Sequence, residues 1–184
     1  MLKQKSILKF EIISTIFILI LGTLLHFTFD WSNSNFFVGT FSPVNESIWE
    51  HLKLLFFPMV ITIIAGYFYE GKNIESYLCA KTFGIIISML FTIIAYYTYS
   101  GVLGKNIDIV NIIIFILAVI IGQYVSYKKM KAKCYCNNLV AIIILVIIYL
   151  YFLVFTFYPP HIGLFKDPVT GTFGIYKKKK IYNL

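Results

Sequence analysis

Ser42-Pro43-Val44-Asn45-Glu46-Ser47-Ile48-Trp49-Glu50-His51-Leu52-Lys53 is a polar, patterned stretch that leads straight into a long apolar run, in a chain otherwise dominated by hydrocarbon side chains. It reads as the start of a transmembrane helix. Ser42 is a good cap residue and Pro43 suits the first helical position, while Ser47 with Glu50 offers a second, later capping box. Within such a helix Glu46 and Glu50 share one stripe, and Ser47 and His51 share another, because residues four apart are neighbours on a helix surface. Two carboxylates so placed repel unless a cation, a proton or Lys53 relieves them.

The composition explains why this stretch stands out. The 184 residues are 59% hydrophobic and 13% charged, with a mean hydropathy of +0.83. A soluble domain of this length is not so apolar, so the expected partner is the lipid bilayer. The net charge is +8, and all sixteen basic residues are lysine. Without arginine there is no bidentate clamp for phosphate, which argues against nucleic acid as a partner. The lysines gather instead at the ends of the apolar runs, as charges flanking membrane spans do. Cys79, Cys134 and Cys136 are too few for a disulfide framework, and Cys134-Tyr135-Cys136 reads as part of a reduced cytoplasmic loop, not as a metal or redox pair.

Outward from the opening stretch, the apolar runs predict five spans, at about 12–29, 50–69, 77–99, 107–127 and 139–158, each near the roughly 20 residues that a bilayer core requires. The fold class expected is all-α: a polytopic helical bundle forming a single integral membrane domain over 1–184, with a structured C-terminal loop and tail over 159–184. The first run resembles a signal peptide in place but lacks a small-x-small cleavage site, so it is expected to stay. Pro58 should kink the second span, and Gly22 and Gly66 read as packing positions. Pro159-Pro160 stops the fifth span, and Asp167-Pro168 and Thr170-Gly171 mark turns beyond it.

Alternation through five spans places the N-terminus, the 70–75 turn and the 128–133 loop on one side. That side carries Lys3, Lys5, Lys9, Lys72, Lys81, Lys128, Lys129, Lys131 and Lys133, so the positive-inside bias makes it cytoplasmic and puts the C-terminal loop outside. Lys177 to Lys180 weigh the other way, but they begin about twenty residues past the last span, where the bias stops counting.

All three histidines, His26, His51 and His161, then fall at one membrane face with Asp30, Glu46, Glu50, Asp108 and Asp167. That is an inventory for a catalytic metal site, zinc being the natural candidate. In this reading His26, His51 and His161 are the metal ligands and Glu50 or Glu46 is the general base. Ser47 joins the catalytic group, and Asp30 and Asp167 orient histidines through their second nitrogens. A local account stands beside it. Glu46 and Glu50 suit a helix N-terminus, His26 suits the opposite end of another helix, and Asp167 is turn chemistry. The ligand spacing is dispersed and lacks the force of His-Glu-x-x-His, although ionisable residues at membrane depth tend to be functional.

Two resemblances follow from these residues. The stretch Pro43 to Lys53, with its Asn-Glu-Ser-x-Trp-Glu-His-Leu-Lys pattern, combines with Leu25-His26-Phe27, Tyr158-Pro159-Pro160-His161 and Asp167-Pro168-Val169-Thr170-Gly171. Together they resemble an uncharacterised family of small bacterial multi-pass membrane proteins. The resemblance implies a bacterial plasma membrane and a compact helical bundle, and no activity. Ser47 and His51 also resemble the Ser-x-x-x-His of the intramembrane hydrolase superfamily that includes alkaline ceramidases. The chain departs from that superfamily in having five spans instead of seven, and a lone His161 where the superfamily has a His-x-x-x-His pair. The functional expectation is a metal-dependent hydrolase of a lipid-like or other small-molecule substrate. Its rivals are a small transporter or ion-permeation unit, with Glu46, Glu50, Lys53 and Asp108 lining a vestibule, and a non-catalytic partner subunit.

Overall fold

The apolar runs form helices because a backbone in hydrocarbon must satisfy its own hydrogen bonds. The computed structural model describes residues 2–69, 71–132 and 137–175, with side chains from Ser6 onward. The helices are α1 (Leu2–Trp31), α2 (Phe36–Gly39), α3 (Ile48–His51), α4 (Lys53–Tyr69), α5 (Tyr77–Leu103), α6 (Asp108–Lys131) and α7 (Asn138–Phe157). Five segments, Ser6–Trp31, Ile48–Tyr69, Tyr77–Leu103, Asp108–Lys131 and Asn138–Phe157, are long and apolar enough to cross a membrane. No strand occurs among the described residues, only an isolated antiparallel bridge between Lys166 and Phe173. The result is an all-α bundle.

The second span begins later than Ser42-Pro43 suggests. Residues 43–47 are not helical, and Ser47 is the cap, its Oγ accepting the Glu50 N–H at 3.4 Å. The Ser42 hydroxyl is used elsewhere, donating to the Leu25 carbonyl at 2.7 Å. The reciprocal half of the capping box is also missing. Asn45 Oδ1 takes the Ser47 N–H at 2.9 Å, an Asx turn that competes with the box, and the Glu50 carboxylate is drawn to Lys53. Glu46 therefore sits in a loop ahead of the helix and shares no stripe with Glu50.

Close helix packing rests on small residues. Gly84 and Ser88 of α5 face Gly122 and Ser126 of α6, so tightly that a Cβ on Gly84 would lie 2.6 Å from the Gly122 carbonyl. Ser88 Oγ donates across this contact to the Ala118 carbonyl at 2.8 Å. Such small-x-x-x-small faces let backbones approach where no hydrophobic effect separates helix from lipid. Gly22 of α1 serves α4 similarly. Pro58 has no N–H to give the Leu54 carbonyl, and a Cβ on Gly22 would sit 2.6 Å from that oxygen. Gly66 is equally crowded, by Tyr77 and Phe10.

At the end of the bundle where α1 begins, Glu11 and Lys81 form a buried ion pair of 2.6 Å, and Gln123 Oε1 accepts from the same ammonium at 3.3 Å. Lys81 reads in the sequence as a flanking charge, and in the fold it is not one. Instead it and Glu11 neutralise each other and tie α1 to α5 and α6. Cys79, at the start of α5, is disulfide-bonded, although the cysteines are too few for a disulfide framework; Cys134 and Cys136 lie outside the described residues. At the opposite end, exposed Trp31, Phe36 and Phe37 suit a headgroup belt. The loop after α7 is structured through residue 175. Phe165 is buried against Trp49, 4.9 Å between centroids, and Asn45 Nδ2 donates to the Gly174 carbonyl at 2.9 Å. Lys177 to Lys180 lie outside the described residues.

Candidate functional site

His26 comes from the last turns of α1, His51 from α3, and Glu46 from the loop that the Asn45 turn and the Ser47 cap hold against the bundle. Their candidate ligand atoms all lie within 4.8 Å of one another. His51 Nε2 is 3.4 Å from Glu46 Oε2, His26 Nε2 is 3.9 Å from Glu46 Oε1, and the two imidazole centroids are 5.2 Å apart. Side-chain exposures of 30% for His26, 47% for Glu46 and 26% for His51 leave the group open on one side.

The tautomer of His51 follows from its neighbour. Its Nδ1 lies 2.9 Å from the Ser47 carbonyl, an acceptor only, so Nδ1 carries a hydrogen and donates it. Nε2 is then either a bare lone pair or a second N–H. A lone pair aimed at a carboxylate is repulsive, so the cluster requires a cation: a proton on His51, or a metal ion among the three side chains. The hydrogen bond from His51 holds the Glu46 carboxyl below the ordinary 4.5, with the two histidine charges adding to it and burial working against the shift.

Residues 1–175 match the family DUF6512, a family of unknown function. The chain belongs to that family. No curated protein and no solved structure matches it. For this DUF6512 protein, family membership and the span-like helices fit a multi-pass membrane protein and bring no chemistry with them, so function is argued from the site.

Glu50, expected as a base, is instead enclosed. Its Oε2 accepts from Lys53 Nζ at 2.7 Å and from the Val44 N–H at 3.0 Å, and Thr156 Oγ1 lies 3.0 Å from Oε1. The Lys53 ammonium spends its other donors on the Gly39 carbonyl at 2.7 Å and the Ser42 carbonyl at 3.3 Å. This knot pins α2, the Glu46 loop and α7 around the start of α4, and it holds the cluster in place from behind.

The remaining expected residues divide. Asp30 is exposed one turn beyond His26. The Ser47 hydroxyl is committed to the cap, and its carbonyl orients His51. Asp167 does not reach a histidine: it is buried, and its Oδ1 accepts the Val169 and Thr170 N–H groups at 2.7 and 3.2 Å. His161 is exposed and packed at a tilt on Phe173, 4.6 Å between centroids, outside the cluster formed among the described residues. Glu46 takes the third place instead. The available signal was the Asn45-Glu46-Ser47 triplet, whose Asx turn keeps Glu46 out of the helix and free to face both histidines.

Proposed function

We propose that this DUF6512 protein holds one divalent transition metal ion of the zinc kind on His26, Glu46 and His51, and uses it to hydrolyse a lipid-like substrate at the membrane face. The observation that carries the reading is the triplet itself: three N/O ligand atoms within 4.8 Å of one another, one of them oriented through its second nitrogen by a backbone carbonyl. Two histidines and one carboxylate with a fourth position left open is the ligand pattern of hydrolytic zinc sites. A metal so bound supplies a nucleophilic water near neutral pH and polarises the bond to be cleaved. Because Glu46 is spent as a ligand and Glu50 is locked to Lys53, Asp30 is the carboxylate left beside the group to take a proton.

The same reading places the protein in a bacterial plasma membrane with its N-terminus cytoplasmic and the metal site outside. The lysines at the α6 end and the likeness to small bacterial membrane proteins support it, while the disulfide at Cys79 on that same side weighs against it. A permeation unit is less well supported, since Glu50 and Lys53, two of its four vestibule residues, neutralise each other in the interior. The test is metal analysis of detergent-purified protein, wild type beside His51→Ala and His26→Ala. About one zinc or other transition metal per chain, lost in both variants, is expected. Absence of metal from the wild type after incubation with zinc would end the proposal.

A further inference from the structure

At the end of the bundle opposite the histidine cluster, the starts of α5 and α7 and the end of α6 enclose a cleft of about 260 Å³. Ser76, Thr82 and Lys129 line it, with Ile86 and Ile144 deeper in. At 1.5 Å per residue, Thr82 lies about 8 Å and Ile86 about 14 Å along the helix from the start of α5. The lining therefore combines an ammonium and hydroxyls toward the helix start with hydrocarbon beyond them, the groups that suit the phosphate, ester and chain of a phospholipid.

Two observations point to a ligand. Thr82 is 2% exposed, and its Oγ1 has no hydrogen-bond partner, an unmade bond that an ester or phosphate oxygen in the cleft would complete. Lys129 has no carboxylate partner among the described residues. Its ammonium rests on the Phe83 ring, 3.8 Å from the centroid, which holds the charge against the cleft lining. Lys128 and Lys131 flank it on the same last turn of α6. The cleft has no acidic lining residue, so nothing there would hold the ammonium of a zwitterionic headgroup.

We infer that this cleft binds one anionic phospholipid from the leaflet at the α1-start end, its phosphate on Lys129, an ester oxygen on Thr82 and a chain against Ile86 and Ile144. Basic recesses between membrane helices recognise acidic headgroups by this chemistry. The site is independent of the metal reading and stands or falls separately.

The experiment is native mass spectrometry of the full chain from mixed micelles holding equal phosphatidylglycerol and phosphatidylcholine. The wild type should retain one phosphatidylglycerol in preference to phosphatidylcholine. Lys129→Met, which keeps the stem on Phe83, should weaken retention about fivefold, the worth of one lysine near an anionic surface. Thr82→Val, of the same shape, should weaken it too, while Lys105→Ala at the other end should not, with thermal melting showing all variants folded. Equal retention of the two lipids, or unchanged retention in folded Lys129→Met, would overturn the inference. So would displacement of the lipid by excess inorganic phosphate, which would show a free-anion site instead.

Discussion

Lys53 Nζ and Glu50 Oε2 meet at 2.7 Å with side-chain exposures of 0% and 3%, Glu50 in α3 beside His51 and Lys53 at the start of α4. Burying two charges is favourable only when the pair is close and its remaining donors and acceptors are filled. Here the Gly39, Ser42 and Val44 backbone groups fill them. The pair thus converts a charged stretch of sequence into a rigid support, and leaves Glu46 as the carboxylate that faces the histidines.

Breaking that pair on one side strands the other charge. Lys53→Met should destabilise the protein by about 3–5 kcal/mol, read as a lowered melting temperature in detergent. Adding Glu50→Gln should recover much of the loss, because the amide no longer needs a cation. A double variant as unstable as the single one would show that lost packing, not the stranded carboxylate, sets the cost.

The metal reading separates the three histidines. His26→Ala, His51→Ala and Glu46→Ala each remove a ligand and should cost more than the roughly 10–100-fold that loss of an outer partner costs in metal affinity. His161→Ala, which removes only a ring packed against Phe173, should leave stoichiometry and affinity unchanged in a zinc titration. A His161 variant as damaging as the His51 variant would contradict the geometry.

Glu46 also gives the metal-free protein an acid limb. Its folded carboxyl lies below the ordinary 4.5 because of the hydrogen bond from His51. The folded state therefore binds this proton less readily than the unfolded chain does. The contribution to stability is complete above the unfolded value and is lost as pH falls through the lower folded one. With nearly half of the side chain exposed the effect is small. Glu46→Gln should flatten melting temperature against pH below about pH 5; an acid limb of unchanged steepness would remove Glu46 from the account.

Glycine position, not glycine count, should decide tolerance on α5 and α6. Gly122→Ala puts a Cβ 2.8 Å from the Gly84 carbonyl and into Ser88, and should cost about 1–3 kcal/mol by overpacking. Gly101→Ala meets nothing within 4 Å and should be neutral or stabilising by up to about 1 kcal/mol, since alanine is the better helix residue. Unfolding of the two variants side by side, in one detergent, provides the comparison.

Some of this was legible along the chain because it is local. The lengths of the apolar runs set the spans, Pro159-Pro160 ended the last one, Ser47 capped a helix, and Lys53 was already near enough in sequence to relieve an acid. The misreadings were also local in origin. Ser42-Pro43 looked like a helix start until the Leu25 carbonyl took the Ser42 hydroxyl, and Glu46 looked helical until Asn45 claimed the Ser47 N–H.

What the sequence by itself determined is the class of object, an all-α chain with five segments apolar enough to cross a membrane, because run length and hydrophobicity are additive properties of neighbouring residues. Only the tertiary structure decided which distant groups meet: Glu11 with Lys81 across 70 positions, and His26 and His51 with Glu46 while His161 stays on the tail. In lipid, apolar faces are nearly interchangeable, so helix neighbours are chosen by close small-residue contacts and by polar groups that must find partners. A linear pattern cannot rank those choices, because each depends on where the other helices have come to rest.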